Sequence, residues 1–221
     1  MSQLQESVYS QARWDAGYSD ATLSYDPTSI PFAPLFQRLL PRNISCFEVG
    51  CFPGRFLAFL GKELGHQVNG IDATSRTSEI APFLRSLGIT VGHIEQGDFF
   101  SYRGQGRFDL VCSFGFVEHF TNLADTLRRH AVLVNDSGAL FVSVPNFRGF
   151  QWLLHRTLDP ENLKRHVLST MSLSRWREIL ESEGFEIREI GYFGTFDFWC
   201  EQQDRNRLQQ CAIEAINRLK R

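Results

Sequence analysis

No stretch of this chain reaches the roughly 18 consecutive apolar residues of a membrane span, and the opening run MSQLQESVYSQARWD lacks the apolar core of a signal peptide. A membrane is not an expected partner, and a cytoplasmic location is the default expectation. Excess charge of one sign is missing as well: 23 Lys and Arg stand against 25 Asp and Glu, a net charge of −2. That balance supplies no global field to draw nucleic acid, so none is expected as a partner. Cysteine is sparse and odd in number, with five residues at Cys46, Cys51, Cys112, Cys200 and Cys211. None of them sits in a CxxC or Cys/His arrangement of metal-ligand type. They read as reduced thiols filling a core, and no metal is expected. Repeats and low-complexity tracts are absent, as is the G-x-G-x-x-G of pure dinucleotide folds.

What is present is a chain of 221 residues, 43% of them hydrophobic, long enough to bury a core as a single domain over 1–221. From Ile44 onward, strand-like and helix-like runs alternate. SCFEVGC reads as a first strand, and GRFLAFLGKELG follows with apolar residues at helical spacing, closed by Gly65. QVNGIDA reads as a second strand and TSEIAPFLRSLG as a helix ending at Gly88; a third strand spans ITVGHIEQGDF, and RFDLVCSFG is the fourth. NLADTLRRHAVLV is a helix, and GALFVSVPN is a fifth strand, apolar enough to be covered on both faces. The order predicts an α/β fold: a doubly wound, mainly parallel, Rossmann-like sheet with helices on both faces.

Two regions break that rhythm. Residues 1–43 mix aromatics with prolines and read as an N-terminal helical cap against the sheet. Residues 147–171 exceed the length of a simple crossover and carry Trp152, His155 and His166, which reads as a lid or substrate wall. SLSRWREILESEGF then predicts a helix capped by Ser172 or Ser174 and closed by Gly184, and EIREIGYFG a sixth strand. The last residues, DRNRLQQCAIEAINRLKR, follow helical spacing with an apolar stripe that calls for cover, which a second copy of the chain could supply as a homodimer. Either Phe196 to Cys200 forms a short seventh strand, or the sheet ends without one and keeps an open edge; the second is favoured.

The stretch ISCFEVGCFPGRFLAFL runs from strand through a turn into a helix, and in a doubly wound sheet ligands bind at that place. Gly50 and Gly54 remove side chains where a ligand must approach the backbone, and the helix directs its first N–H groups there. Phe52 and Pro53 leave less room than three glycines would, and the acid Glu48 opposes a phosphate. A cationic ligand fits better than an anionic one.

With these residues the chain resembles the class I, seven-β-strand S-adenosylmethionine-dependent methyltransferases, in their broad small-molecule group of type 11 and type 12. Their first motif, an acid followed by G-x-G-x-G, matches EVGCFPG at Glu48, Gly50 and Gly54, with Phe52 replacing the middle glycine. The resemblance extends over roughly Ile44 to Gly194. It implies that Glu48, Gly50, Cys51, Phe52 and Gly54 hold the amino-acid part of the cofactor, and that Asp72, followed by Ala73, binds the ribose. Asp98 would accept the adenine amino group beside Phe99, and Ser113 would close the pocket from the fourth strand. The Glu-His pair in FDLVCSFGFVEHF makes His119 the first candidate base, with His155 and His166 behind it. The implied reaction moves a methyl group to an oxygen, nitrogen or carbon of a small-molecule acceptor and leaves S-adenosylhomocysteine. Bland readings stand beside these: the glycines could only permit a tight turn, Asp72 and Asp98 could be cap or loop acids, and His119 could be a packing residue. Trp14, Tyr18, Trp152 and Trp199 read as core or lid. A nicotinamide-dependent oxidoreductase on the same sheet, and a non-catalytic relative that keeps the fold, remain alternatives.

Overall fold

The computed structural model describes residues 7–8, 10–104, 106–194, 196, 198–200 and 206–219. The chain divides into two compact units, one of Tyr9–Val117 with Ala124–Ser143, the other of Met1–Val8, Glu118–Leu123 and Val144–Arg221.

The first unit holds the sheet. Its strands are β1 (Ser45–Val49), β2 (Gln67–Asp72), β3 (Val91–Gln96), β4 (Phe108–Phe114) and β5 (Val134–Ser143), all parallel in the order β3-β2-β1-β4-β5. The order reverses at β1, as a doubly wound sheet requires. Around it lie α1 (Gln11–Gly17), α2 (Ala33–Leu39), α3 (Arg55–Leu64), α4 (Ile80–Ser86) and α5 (Leu123–Val132). Phe56, Leu57, Ala58, Phe59, Leu60 and Leu64 are buried along α3, and Gly65 ends it in the left-handed conformation at φ 74°. The N-terminal cap covers the sheet as expected. Phe36 of α2 meets Phe141 at 4.8 Å between ring centroids and Phe114 at 6.0 Å, edge to face in both cases.

β5 departs from expectation in position and in cover. It starts at Val134, takes up a register shift between its pairings with Phe108 and Leu110, and stops at Ser143, so Val144–Asn146 lie beyond it. Its residues from Gly138 to Ser143 are half-buried, because β4 is the one strand it pairs with among the described residues. An apolar run reported strand, but it could not report an edge.

The second unit contains α6 (Phe150–Leu158), α7 (Pro160–Lys164), α8 (Leu173–Ser182) and α9 (Arg207–Leu219). Ser172 sits at the N-cap of α8, yet its hydroxyl faces that of Ser174 at 3.1 Å and makes no capping bond. The expected sixth strand is not formed: Glu186–Gly194 has no strand partner among the described residues, with Tyr192 and Phe193 exposed. Phe185 with Ile187, and Ile190 with Tyr192, stand two residues apart and imitate strand period two. A strand nevertheless needs a sheet edge to pair with, and Gly184 and Gly194, both at positive φ, bracket the segment. Phe196 and Phe198–Cys200 carry no strand either; Thr195, Asp197 and residues 201–205 of the same candidate stretch lie outside the described residues. The C-terminal helix is present as expected, and no helix among the described residues is long and apolar enough to cross a membrane.

One buried group ties stability to pH. His130 of α5 is fully buried, donates Nδ1–H to the Thr126 carbonyl at 2.8 Å and leaves Nε2 without a partner. Burial pushes its pKa down from 6.5 to about 4. The unfolded chain therefore takes up a proton that the folded chain refuses, so this contribution is complete above about 6.5 and is lost as pH falls toward 4. Its full extent is about 3 kcal/mol. Denaturant unfolding of the wild type and of His130→Leu between pH 7.5 and 4 should show a steeper decline for the wild type. Parallel pH profiles would remove His130 from the account.

Candidate functional site

The turn after β1 is built by backbone geometry. Gly50 and Cys51 both donate their N–H to the Ile71 carbonyl, at 2.9 and 3.2 Å, which bends the chain over the end of β2. Gly50 lies at φ 73°, and a Cβ there would fall 2.8 Å from Cδ2 of Phe116. Gly54, at φ 87°, donates to the Cys51 carbonyl at 2.7 Å and starts α3. Glycine is thus required twice, once for close approach and once for a left-handed entry into the helix. The bland reading of these glycines as turn formers is satisfied, and the turn also brings two acids together.

Asp72 ends β2 and clamps two loops. Its Oδ2 accepts the Phe52 N–H at 2.9 Å, and its Oδ1 accepts the Thr74 N–H at 3.0 Å. Thr74, not Asp72, caps the 3-10 turn that follows. Burial raises the pKa of Asp72 above the ordinary carboxylate value, against the pull of backbone donors from Thr74, Phe52 and Ala73. Glu48, on β1, is 3% exposed, and its Oε2 has no partner. Burial lifts its pKa well above the ordinary value, the neighbouring Asp72 lifts it further, and Arg55 with a Leu57 N–H draws it back in part. Ser113, at the end of β4, is fully buried with an unpartnered Oγ. Cys51 is buried and its thiol is pushed up, so it is no nucleophile. Two carboxylates held beside the glycine turn suit a ligand that carries positive charge and hydroxyl donors.

Asp98 is exposed and caps the short turn Phe99–Ser101, accepting the Phe100 N–H at 3.0 Å and the Ser101 hydroxyl at 2.8 Å. Phe99 is buried against Phe100, Phe116 and His130, with ring centroids at 5.4, 5.7 and 4.7 Å. Ala73 is exposed.

Two residues escape the sequence reading. Phe116 fills the space over Gly50 and touches Phe99, and its only signal was its place beside Gly115 in FGFVEHF. Arg76 gives Nη1 to the carbonyls of Tyr18 at 2.6 Å and Ala21 at 2.9 Å, and its guanidinium lies 5.1 Å from the Phe52 ring centroid. Tyr18 meets the same Phe52 edge-on at 5.0 Å and stacks on Trp14 at 5.8 Å. The N-terminal cap is thereby pinned to the turn, through long-range contacts that leave no local pattern.

His119 belongs to the second unit. It is 6% exposed, its Nδ1 donates to the Arg165 carbonyl at 2.8 Å, and its Nε2 lies 3.8 Å from Oε1 of Glu118. His166 and His155 lie in that unit too, each against Phe147, at 4.4 and 4.3 Å between ring centroids. A groove of about 290 Å³ is lined by Phe147, Arg148, Gly149, Trp152 and Leu168. Trp199, 39% exposed, approaches Phe147 at 5.6 Å.

The fold is shared with solved methyltransferases. A S-adenosyl-L-homocysteine complex of a SAM-dependent methyltransferase from Geobacter sulfurreducens superimposes at a TM-score of 0.60, with 17% identity over 82% of this chain and 74% of that one. One from Thiobacillus denitrificans gives a TM-score of 0.61, 18% identity, and 82% and 73% of the two chains. A coclaurine N-methyltransferase gives a TM-score of 0.46 at 17% identity, covering 50% of this chain and 34% of that one, so this chain spans about a third of its length. No curated protein matches the sequence. A family model described as a methyltransferase domain matches residues 29–190, which include β1 to β5, both glycines, Glu48, Asp72, Asp98 and His119. The chain belongs to that methyltransferase domain family.

Proposed function

We propose that the chain transfers a methyl group from S-adenosylmethionine to an oxygen, nitrogen or carbon nucleophile of a small-molecule acceptor. The observation that carries the reading is Glu48: a buried carboxylate with an unpartnered oxygen, beside a glycine turn and a second acid. Such a group costs folding free energy unless a cation meets it. The cofactor, when bound, supplies an ammonium group and a methyl group activated on a sulfonium. Glu48 holds the ammonium, and the backbone of Gly50, Cys51, Phe52 and Gly54 lies against the amino-acid part. Asp72 takes the ribose hydroxyls with Ala73 beside them, Asp98 and Phe99 take the adenine, and the Ser113 hydroxyl closes the floor. The two units serve as one domain over 1–221, since the chain passes between them at 8/9, 117/118, 123/124 and 143/144.

On the acceptor side, residues 147–171 form the wall, and the groove lined by Phe147 and Trp152 has the size for a small aromatic or aliphatic molecule. His119 is the residue to accept a proton: Nδ1–H is committed to a carbonyl, so the basic lone pair is on Nε2. Calorimetry with S-adenosylmethionine and, separately, with NAD⁺ tests the reading. Micromolar binding of the first alone is expected, followed by release of S-adenosylhomocysteine when acceptors are screened with methyl-labelled cofactor. Binding of the nicotinamide cofactor alone would place the chain among oxidoreductases, and cofactor binding without turnover across the screen would favour a non-catalytic relative.

A further inference from the structure

The second unit brings together three side chains that carry metal-type donor atoms. Glu118 is 1% exposed, and its Oε2 has no partner. His119 gives its Nδ1–H to the Arg165 carbonyl, and His166 gives its Nδ1–H to the Asn162 carbonyl, both at 2.8 Å. A carbonyl can only accept, so each imidazole carries its lone pair on Nε2. One donor atom from each of Glu118, His119 and His166 lies within 4.8 Å of the other two. The Glu118–His119 separation of 3.8 Å is too long for a hydrogen bond. It is close to the spacing of about 3.3–3.6 Å between two ligands of one tetrahedral ion.

We infer that Glu118, His119 and His166 form a binding site for a divalent transition-metal ion of the Zn²⁺ type. Two neutral imidazoles and one carboxylate suit Zn²⁺ and Co²⁺ better than Mg²⁺ or Ca²⁺, which prefer oxygen alone. The surroundings match what such a site requires. Each histidine is oriented by a carbonyl on its far nitrogen, the usual support of a metal-bound imidazole. Backbone bonds frame the cluster: Val167 N–H donates to the Glu118 carbonyl at 2.7 Å, Val8 N–H donates to that of His119 at 2.9 Å, and Ser7 bridges Phe120. Phe147 walls His166 on one side and lines the groove on the other. Three protein donors leave coordination positions open for water or an acceptor heteroatom, the pattern of catalytic rather than closed structural zinc. The expectation of no metal came from cysteine spacings; these donors come from two distant stretches that the fold brings together. Nε2 of His119 serves as base only while the ion is absent, since one lone pair cannot be ligand and base at once. The inference is independent of cofactor binding.

The full chain, stripped with a chelator, should bind one Zn²⁺ in calorimetry, and Co²⁺ should give visible d–d bands without a thiolate charge-transfer band. Glu118→Gln, His119→Ala and His166→Ala should each weaken Zn²⁺ binding about tenfold or more, with circular dichroism and S-adenosylmethionine affinity of His166→Ala unchanged. Cys211→Ser should bind as the wild type does. If the ligand variants fail to fold, the wild-type cobalt spectrum and a Zn²⁺-dependent rise in melting temperature decide. No ion bound by the wild type, a thiolate band, or binding that survives all three ligand variants would overturn the site.

Discussion

Gly50→Val should abolish measurable binding of S-adenosylmethionine, a loss of at least about 100-fold or roughly 2.7 kcal/mol. Two effects act at that position. The backbone stands at φ 73°, which costs an L residue about 1–2 kcal/mol and a β-branched one more. The new Cβ would meet Phe116 at 2.8 Å before either methyl is placed. Gly88→Val separates the two: it carries φ 76° but nothing lies within 4 Å of its Cβ, so it should lose stability and keep affinity. A double variant with Phe116→Ala should regain part of the stability lost by Gly50→Val, since the contact is removed, and none of the binding. A folded Gly50→Val chain that binds with wild-type affinity would move the pocket away from this turn.

The elements that were legible in the sequence are those whose signal is local. α3 announced itself by apolar spacing and a glycine stop, and Gly65 is left-handed there as expected. Alternation of strands and helices from Ser45 to Ser143 gave a parallel doubly wound sheet, because a short crossover helix leaves few other topologies. Residues 186–194 had the same local pattern and no sheet edge, and pattern alone cannot supply one. β5 reads as interior and is half-buried for a related reason: exposure depends on what lies next to a strand, not on what composes it.

The site divides along the same line. Gly50, Gly54, Glu48 and Asp72 were readable because turn chemistry and strand ends are local features, and the fold sets all four at the carboxyl ends of β1 and β2. The cap-pinning role of Arg76 was invisible, since the carbonyls it meets at Tyr18, Ser19 and Ala21 are joined to it only by the folded chain. His166 was readable as a histidine in an insertion, but not as a neighbour of Glu118 and His119. Asp98 shows the converse, a residue whose cap function explains its presence without any ligand.

Asp72→Ala should weaken S-adenosylmethionine binding by about 1–3 kcal/mol, the cost of removing a charged acceptor from hydroxyl donors. A lower affinity alone would be ambiguous, because the same carboxylate accepts the Phe52 and Thr74 N–H groups and its loss loosens the turn. The two contributions separate when the ligand is changed together with the protein. Wild-type protein should bind S-adenosylhomocysteine more tightly than its 2′,3′-dideoxy analogue, whereas Asp72→Ala should bind the two alike, and the difference is the coupling between carboxylate and ribose. Asp72→Asn adds a second control. It retains one carbonyl acceptor and removes the charge that lifts Glu48, so the variant should be less destabilised than Asp72→Ala while still failing to distinguish the two ligands. If both variants kept the wild-type preference for the ribose hydroxyls, Asp72 would be a structural clamp between the two turns and the ribose would be held elsewhere.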